Sequence, residues 1–317
     1  MPDFTMYGGI FRSELPFPDL RPSAGGEPTW WFRRSADRPP DSVVEVLGEE
    51  TFEGPVRLAV TKTPTGLRFT YTDTGVFDIS DGGRNLVWYP AAGAPLDLAR
   101  IDVMGRVMAG ALHLGGLLCL HGSAVALGAG SCGIGFLAPK HHGKSTLAFA
   151  MTQRDAQLLT DDTLPVEFSH PVRLRPGVHS VRLWTDSAER LASDRIGTGR
   201  EYGGKHIVDW LPKDRIADQA VPLSAIYLLN PPTEQTLPAF VRRARVSDVP
   251  AAMALVRHAK IGALLGKSEA PVLFERAVAA ARAVPVYELD FVRDFAQVDH
   301  VVGQLMEWHA MATNTPV

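Results

Sequence analysis

The sequence predicts an α/β protein with a β-rich N-terminal lobe and a larger domain of alternating strands and helices. Three observations carry that prediction. Short runs that alternate apolar with polar residues, separated by Gly, Pro, Asp and Asn, fill the chain up to about residue 95. Composition then shifts to an amphipathic helix pattern, which sets the expected boundary between a lobe at 1–95 and a domain at 96–317. Finally, residues 120–163 place an apolar strand, a glycine- and lysine-bearing loop, a helix and a second strand ending on two acids in immediate succession.

The elements follow in order. In the lobe, Val56 to Thr61, Leu67 to Thr72, Val76 to Ile79 and Asn85 to Tyr89 read as short antiparallel strands. Residues 16–28 and 33–40 are rich in proline and polar side chains and read as surface loops. Trp30, Trp31 and Phe32 beside Arg33 and Arg34 read as core packing, not a nucleic-acid stacking patch, because the chain is net acidic. Leu98, Ile101, Met104, Met108 and Leu112 fall on one helical stripe, which Gly115-Gly116 stops. Strands are expected at 117–121, 124–127, 133–137, 158–160, 164–168, 172–174, 181–184, 223–229 and 286–291. Helices are expected at 145–153, 249–265 and 271–284, with a last one carrying Phe295, Val298, Val302 and Leu305 on one face. Residues 196–205, glycine-rich and charged, read as a mobile loop, and the chain beyond Ala310 should fray.

Bulk properties exclude several classes. At 317 residues the chain is too long for one small core. A formal charge of −3 gives no general attraction to nucleic acid or to an anionic membrane. Cys119 and Cys132 are the only cysteines, without a CxxC pair or zinc-type spacing, so a reduced, cytoplasmic protein with two packed thiols is expected. The N-terminus lacks the basic-then-apolar pattern of an export signal. The longest apolar stretch, 107–120, is too short to span a bilayer, so a soluble protein is expected.

The chemistry concentrates in 120–163. Gly143-Lys144-Ser145-Thr146 is the back half of a GxxxxGK[ST] phosphate loop, with Ala138 where a glycine is usual. A tight strand-to-helix turn points backbone N–H groups and the positive helix end at an anion, which favours polyphosphate. Ala138, Pro139, Lys140, His141, His142, Gly143, Lys144, Ser145 and Thr146 are therefore the expected nucleotide-binding residues. Lys144 should meet the β and γ phosphates, and the Ser145 hydroxyl should take one position on Mg²⁺. Asp161-Asp162 stand where such proteins keep a metal-binding acid. His141 and His142 read as phosphate contacts or solvated residues rather than metal ligands, since adjacent histidines do not share a face. Lys205 could reach a transferring phosphate, but reads more readily as a solvated lysine. The Arg242, Arg243, Arg245 and Arg257, His258, Lys260 clusters read as solvated faces.

Leu120-His121-Gly122, the GKST segment and Asp161-Asp162, in that order, resemble the catalytic domain of HPr kinase/phosphorylase and of the HPr-kinase-like proteins of ribosomal-peptide gene clusters. The opening at Tyr7 to Leu20 and the strands at 181–184 and 225–229 are similar as well. The resemblance implies a P-loop kinase fold shared with phosphoenolpyruvate carboxykinase, in which a mixed sheet is flanked by helices. It implies a kinase acting on a serine hydroxyl, with ATP and Mg²⁺. Carried over by position, Lys144 and Ser145 hold triphosphate and metal, the aspartates supply a metal contact and a general base, and His121 lies near the acceptor. The pair alone leaves open which acid does which; the expected division puts Asp161 toward Mg²⁺ and Asp162 toward the hydroxyl. The chain departs from the family at 174–179, where a Glu-Ile-Arg-Gly segment is replaced by a stretch without an acid, which weakens a phosphorylase assignment. HPr kinase/phosphorylase is a hexamer, so a homo-oligomer is a further expectation of the resemblance.

The expected function is therefore an Mg-ATP-dependent phosphotransferase acting on a serine of a peptide or protein, in the manner of a peptide-tailoring kinase. Nucleic acid and membrane are not expected partners. Two alternatives remain open: a nucleotide-binding regulator without turnover, and a kinase of a small-molecule hydroxyl.

Overall fold

A computed structural model describes residues 1–52, 54–191, 201–202, 204–208, 211–230 and 241–310, with 201 and 202 as backbone alone. The fold is mixed α/β with several sheets, and the chain divides into two compact units. The first comprises Met1–Cys119 and Ala259–Ala277; the second comprises Leu120–His258 and Val278–Val317.

The first unit is built on a nine-stranded sheet: β1 (Asp3–Met6), β2 (Gly9–Ser13), β3 (Arg21–Pro22), β4 (Trp30–Arg34), β5 (Glu45–Thr51), β6 (Arg57–Thr63), β7 (Gly66–Tyr71), β8 (Gly75–Ser80) and β9 (Asn85–Pro90), in the order β3-β1-β2-β4-β9-β8-β7-β6-β5. Strands β5 to β9 form the antiparallel meander that alternation predicts. The parallel pairs β2·β4 and β4·β9 make the whole sheet mixed, because the β4-to-β9 connection carries the entire meander. Phe17 meets Phe11, Phe32 and Phe4 edge-on in its core. Part of the 16–28 segment is accordingly not a surface loop: Phe17 and Leu20 are buried.

The helical stripe from Leu98 to Leu112 exists, but not as one helix. α1 (Leu96–Asp102) and α2 (Met108–Leu114) are joined by a π-helical segment, Val103–Val107, in which Gly105 leaves helical geometry at φ −96°, ψ −105°. Glycine's conformational freedom permits that break, which a stripe of apolar spacings cannot reveal. Met104, Met108 and Leu112 are buried as the stripe requires.

The second unit begins at Leu120, the last residue of β10 (Leu118–Leu120), which leads through His121 into β11 (Gly122–Leu127), β12 (Cys132–Leu137), α3 (Lys144–Thr152) and β13 (Gln157–Thr160). β14 (Leu164–Glu167), β15 (Arg173–Leu174), β16 (Val181–Trp184), α4 (Thr185–Leu191), β17 (Glu201–Tyr202), β18 (Lys205–Val208) and β19 (Val221–Leu229) follow. The chain ends with β20 (Arg242–Arg245), α5 (Asp248–Arg257), α6 (Gly266–Ala283), of which the part up to Ala277 belongs to the first unit, β21 (Val286–Asp290) and α7 (Val298–Ala310). The main sheet runs β14-β15-β19-β12-β11-β13, with β21 on β19 and β20 on β21. β12, buried along its whole length, is antiparallel to β11 and parallel to β19. α3 packs Leu147, Ala148 and Met151 into a core with Val125, Ile134, Phe136 and, from α7, Val301, Val302 and Leu305. A smaller sheet, β16-β18-β17, shares a second core with Phe149 and Leu158.

Two sequence expectations are corrected here. The helix expected at 249–265 ends at Arg257, where the chain turns and resumes only as a short 3-10 segment at Gly262–Leu264. The expected mobile loop at 196–205 is partly strand, with β17 and the start of β18 inside it; residues 196–200 and 203 lie outside the described residues, as does the tail beyond Ala310. No helix among the described residues is long and apolar enough to cross a membrane.

Candidate functional site

Strand direction explains why three separated motifs meet. β11 is antiparallel to both β12 and β13, pairing Gly122 with Leu137 and Ala124 with Thr160. The start of β11 and the ends of β12 and β13 therefore share one edge of the sheet. That edge receives His121 from before β11, the loop at 138–143 from the end of β12, and Asp161-Asp162 from the end of β13.

The loop turns into α3 through two left-handed residues, His141 at φ 67° and Gly143 at φ 81°. Glycine adopts that conformation freely, whereas His141 does so at a cost of about 1 kcal/mol. Ala138 is not left-handed, so a side chain replaces the usual glycine there without this strain. It is buried in the apolar core and offers the site only its carbonyl, as does Pro139. Both carbonyls accept from Lys144 Nζ, at 2.9 and 3.1 Å. His142 Nδ1 lies 2.6 Å from the Lys140 carbonyl, which places the ring proton on Nδ1.

Asp161 is buried and accepts three hydrogen bonds. Its Oδ1 accepts from Ser145 Oγ at 2.8 Å and from Ser123 Oγ at 2.5 Å, and its Oδ2 accepts the Arg182 N–H at 2.9 Å. Asp162 differs although it is the next residue. Its φ of 69° turns the backbone left-handed, so both acids reach the same pocket instead of opposite faces of a strand. His121 Nδ1 stands 3.2 Å from the Asp162 carbonyl and 3.4 Å from Oδ1, and Arg182 Nη1 lies 3.9 Å from Oδ2.

One pocket thus brings together Lys140, His141, His142, Gly143, Lys144, Ser145, Thr146, His121, Asp161 and Asp162, while Ala138 and Pro139 do not line it. It adds Arg182 and Trp184, and it also includes Lys205, for which the sequence offered both a phosphate-reaching and a solvated reading; all three come from the small sheet. Trp184 stacks on His141 with ring centroids 4.2 Å apart and an interplanar angle of 22°. Lys140 and Lys205 place their ammonium groups 5.7 and 5.0 Å from the same indole. Sequence reasoning saw Val181 to Trp184 only as a strand and Ser123 only as part of an apolar run.

His258 caps the C-terminus of α5, and its carbonyl accepts the His121 N–H at 2.7 Å. Burial first, then the charges of Lys144, His121 and Arg257, hold its ring down to about 4. It is therefore neutral at neutral pH and adds no charge beside Lys144.

No protein-family model matches the chain, and no curated protein matches it in sequence. Among solved structures it is similar to the HPr(Ser) kinase/phosphatase from Coxiella burnetii, at 11% identity and a TM-score of 0.33, over 62% of this chain and 92% of that one.

Proposed function

We propose that the chain is an Mg-ATP-dependent kinase that phosphorylates a serine hydroxyl of a peptide or protein. The observation that carries the reading is the contrast between adjacent acids in one pocket: Asp161 accepts from Ser145, Ser123 and a backbone N–H, while Asp162 stands at the pocket beside His121 and Arg182.

The donor set fits the implied metal. Ser145 Oγ and the Asp161 carboxylate are hard oxygen donors in contact with one another, which suits a cation that keeps waters and shares substrate phosphates. When bound, Mg²⁺ supplies neutralisation of charge on the phosphates. The residues do the rest. Lys144, displaced from the Ala138 and Pro139 carbonyls, pairs with the β and γ phosphates, and the N–H groups at the start of α3 face them. The serine oxygen bonds to the γ phosphorus as the bond from that phosphorus to the β–γ bridging oxygen breaks. The electron pair leaves with ADP, and the hydroxyl proton passes to the Asp162 carboxylate. His121 orients Asp162, and Arg182 balances charge at the acceptor side.

Purified protein given Mg-ATP and serine-bearing peptides should add the mass of one phosphate to a peptide. Nucleotide-dependent stabilisation without transfer to any acceptor would instead establish a regulator, and label transferred from ATP only to metabolites would establish a small-molecule kinase.

A further inference from the structure

On one margin of the main sheet, β20 pairs with β21, and among the described residues no strand pairs with its other side. Val246 donates its N–H to the Val286 carbonyl at 2.9 Å, continuing the register that sets Arg242 opposite Asp290 and Ala244 opposite Glu288. Antiparallel bonding alternates, so residues 242, 244 and 246 direct their peptide groups to β21, while the N–H and C=O of Arg243 and Arg245 point outward. Such a row of outward peptide groups is a template for one more strand.

Side chains select which strand. Arg243 and Arg245 share one face of β20, with their guanidinium groups 4.8 and 5.8 Å from the Tyr287 ring. Arg243 also lies 4.5 Å from the ring of Trp308 on α7 and donates to Tyr227 Oη at 3.1 Å. The acids of β21 stand on the opposite face: Asp290 pairs with Arg242 at 2.9 Å, and Glu288 is across from Ala244. Asp248 follows only at the start of α5. Two arginines spaced two residues apart on an outward edge attract a strand with a carboxylate at every second residue. They repel a second copy of β20, which the same edge would otherwise template.

Register fixes where that strand would lie. Leu137, the last residue of β12, is level with Leu228 of β19, Leu228 with Glu288, and Glu288 with Ala244. β12, β19 and β21 are parallel and β20 opposes them, so β20 begins at the end of the sheet where the phosphate loop leaves β12. A strand outside β20 is four strand spacings from β12, about 19 Å, which about six extended residues span.

We propose that the outer edge of β20 binds an acidic, extended segment of the phosphate acceptor as an added strand, about six or more residues from the reacting serine. The occupant's identity rests on the kinase reading, whereas the docking edge rests on β20 alone.

Fluorescence anisotropy without nucleotide, using labelled peptides of alternating glutamate and threonine, tests the edge. The wild-type protein is expected to bind this peptide and not its lysine-threonine counterpart. Only one alternate set of peptide N–H groups can face β20, so N-methylation of either the glutamates or the threonines should abolish binding while the other preserves it. Arg245→Ala should weaken binding about 2–5-fold. Arg245→Pro also removes an outward N–H without touching the bonds to β21, and should weaken it a further 2–10-fold or about that. Equal binding of acidic and basic peptides, no binding, or tolerance of both N-methylations would overturn the added strand; these readouts need no variant to fold. A folded Arg245→Pro that binds as well as Arg245→Ala would overturn it too. With Mg-ATP, joining the acidic segment to a serine-bearing peptide should lower KM about tenfold at a spacer of about six residues or more, with kcat unchanged, and not at a spacer of about two. A KM indifferent to the spacer would overturn the acceptor as occupant. Peptide binding without phosphate transfer to any peptide would overturn the kinase reading and leave the docking edge standing.

Discussion

Ser145 Oγ donates to Asp161 Oδ1 across 2.8 Å, so the first turn of α3 is tied to the residue that follows β13, at the two residues proposed to hold Mg²⁺. An amide at position 161 cannot replace this carboxylate, because Ser123, Ser145 and the Arg182 N–H present donors to both of its oxygens. Asp161→Asn is expected to lower stability by about 1–3 kcal/mol and to abolish the Mg²⁺ dependence of nucleotide binding. Urea denaturation and calorimetry with and without Mg²⁺ check both outcomes.

Asp162 bears no such structural burden, and its variant should read differently. Asp162→Asn is expected to keep nucleotide affinity within a few-fold and to slow transfer by about 10²–10⁴-fold, the range for losing a general base. Single-turnover measurements with saturating Mg-ATP test this. Loss of binding in parallel with turnover would assign Asp162 to the donor instead.

Gly177 holds the acidic pair in place from outside the pocket. Its N–H donates to the Leu159 carbonyl at 2.8 Å, and a Cβ there would come within 1.9 Å of Thr160 Oγ1 and 2.7 Å of its Cβ. Gly177→Ala must therefore displace the last residue of β13. We expect a cost of about 1–3 kcal/mol together with weakened Mg-ATP binding, although position 177 does not line the pocket. Gly177→Ala with unchanged melting temperature and affinity would contradict that account.

A buried relay in the second unit makes stability depend on pH. Arg243 Nη1 donates to Tyr227 Oη at 3.1 Å, and Tyr227 Oη in turn lies 2.8 Å from His309 Nε2, so Nε2 accepts and the ring proton sits on Nδ1, 3.8 Å from Cys132 Sγ. Burial first, then the charge of Arg243, holds His309 down to about 4, against an ordinary 6.5. Between those values the unfolded chain binds a proton that the folded chain does not. The contribution is thus present above about pH 6.5 and is lost as pH falls through 4. Wild-type protein should lose up to roughly 2 kcal/mol more than His309→Gln between pH 7 and pH 5, as measured by urea denaturation at both pH values.

The motifs were readable because each is local: LHG, GKST and the acidic pair each occupy a few consecutive residues at strand ends. Their convergence depends on β11 lying between β12 and β13, a pairing that apolar runs of similar length do not specify. Arg182, Trp184 and Lys205 reach the pocket through β16 pairing with β18, and such non-local pairing leaves no mark in either strand. Ser123 offered one usable signal, a hydroxyl inside an apolar strand, since a buried hydroxyl needs a partner. The left-handed turns at His141 and Asp162 were hidden for another reason: neither residue type announces positive φ as glycine does.

The ion pair between Lys62 Nζ and Glu269, 2.6 Å long, links residues 207 positions apart within the first unit, and Glu269 also faces His113 at 3.6 Å. During synthesis at 5–20 residues per second, Lys62 of β6 would be made about 10–40 s before its partner on α6. The unit that is translated first therefore stays incomplete until Ala277 is made, after much of the second unit has been synthesised. Through that interval its meander must persist without Glu269, and a fragment ending at Cys119 would carry both Lys62 and His113 with their shared acid missing.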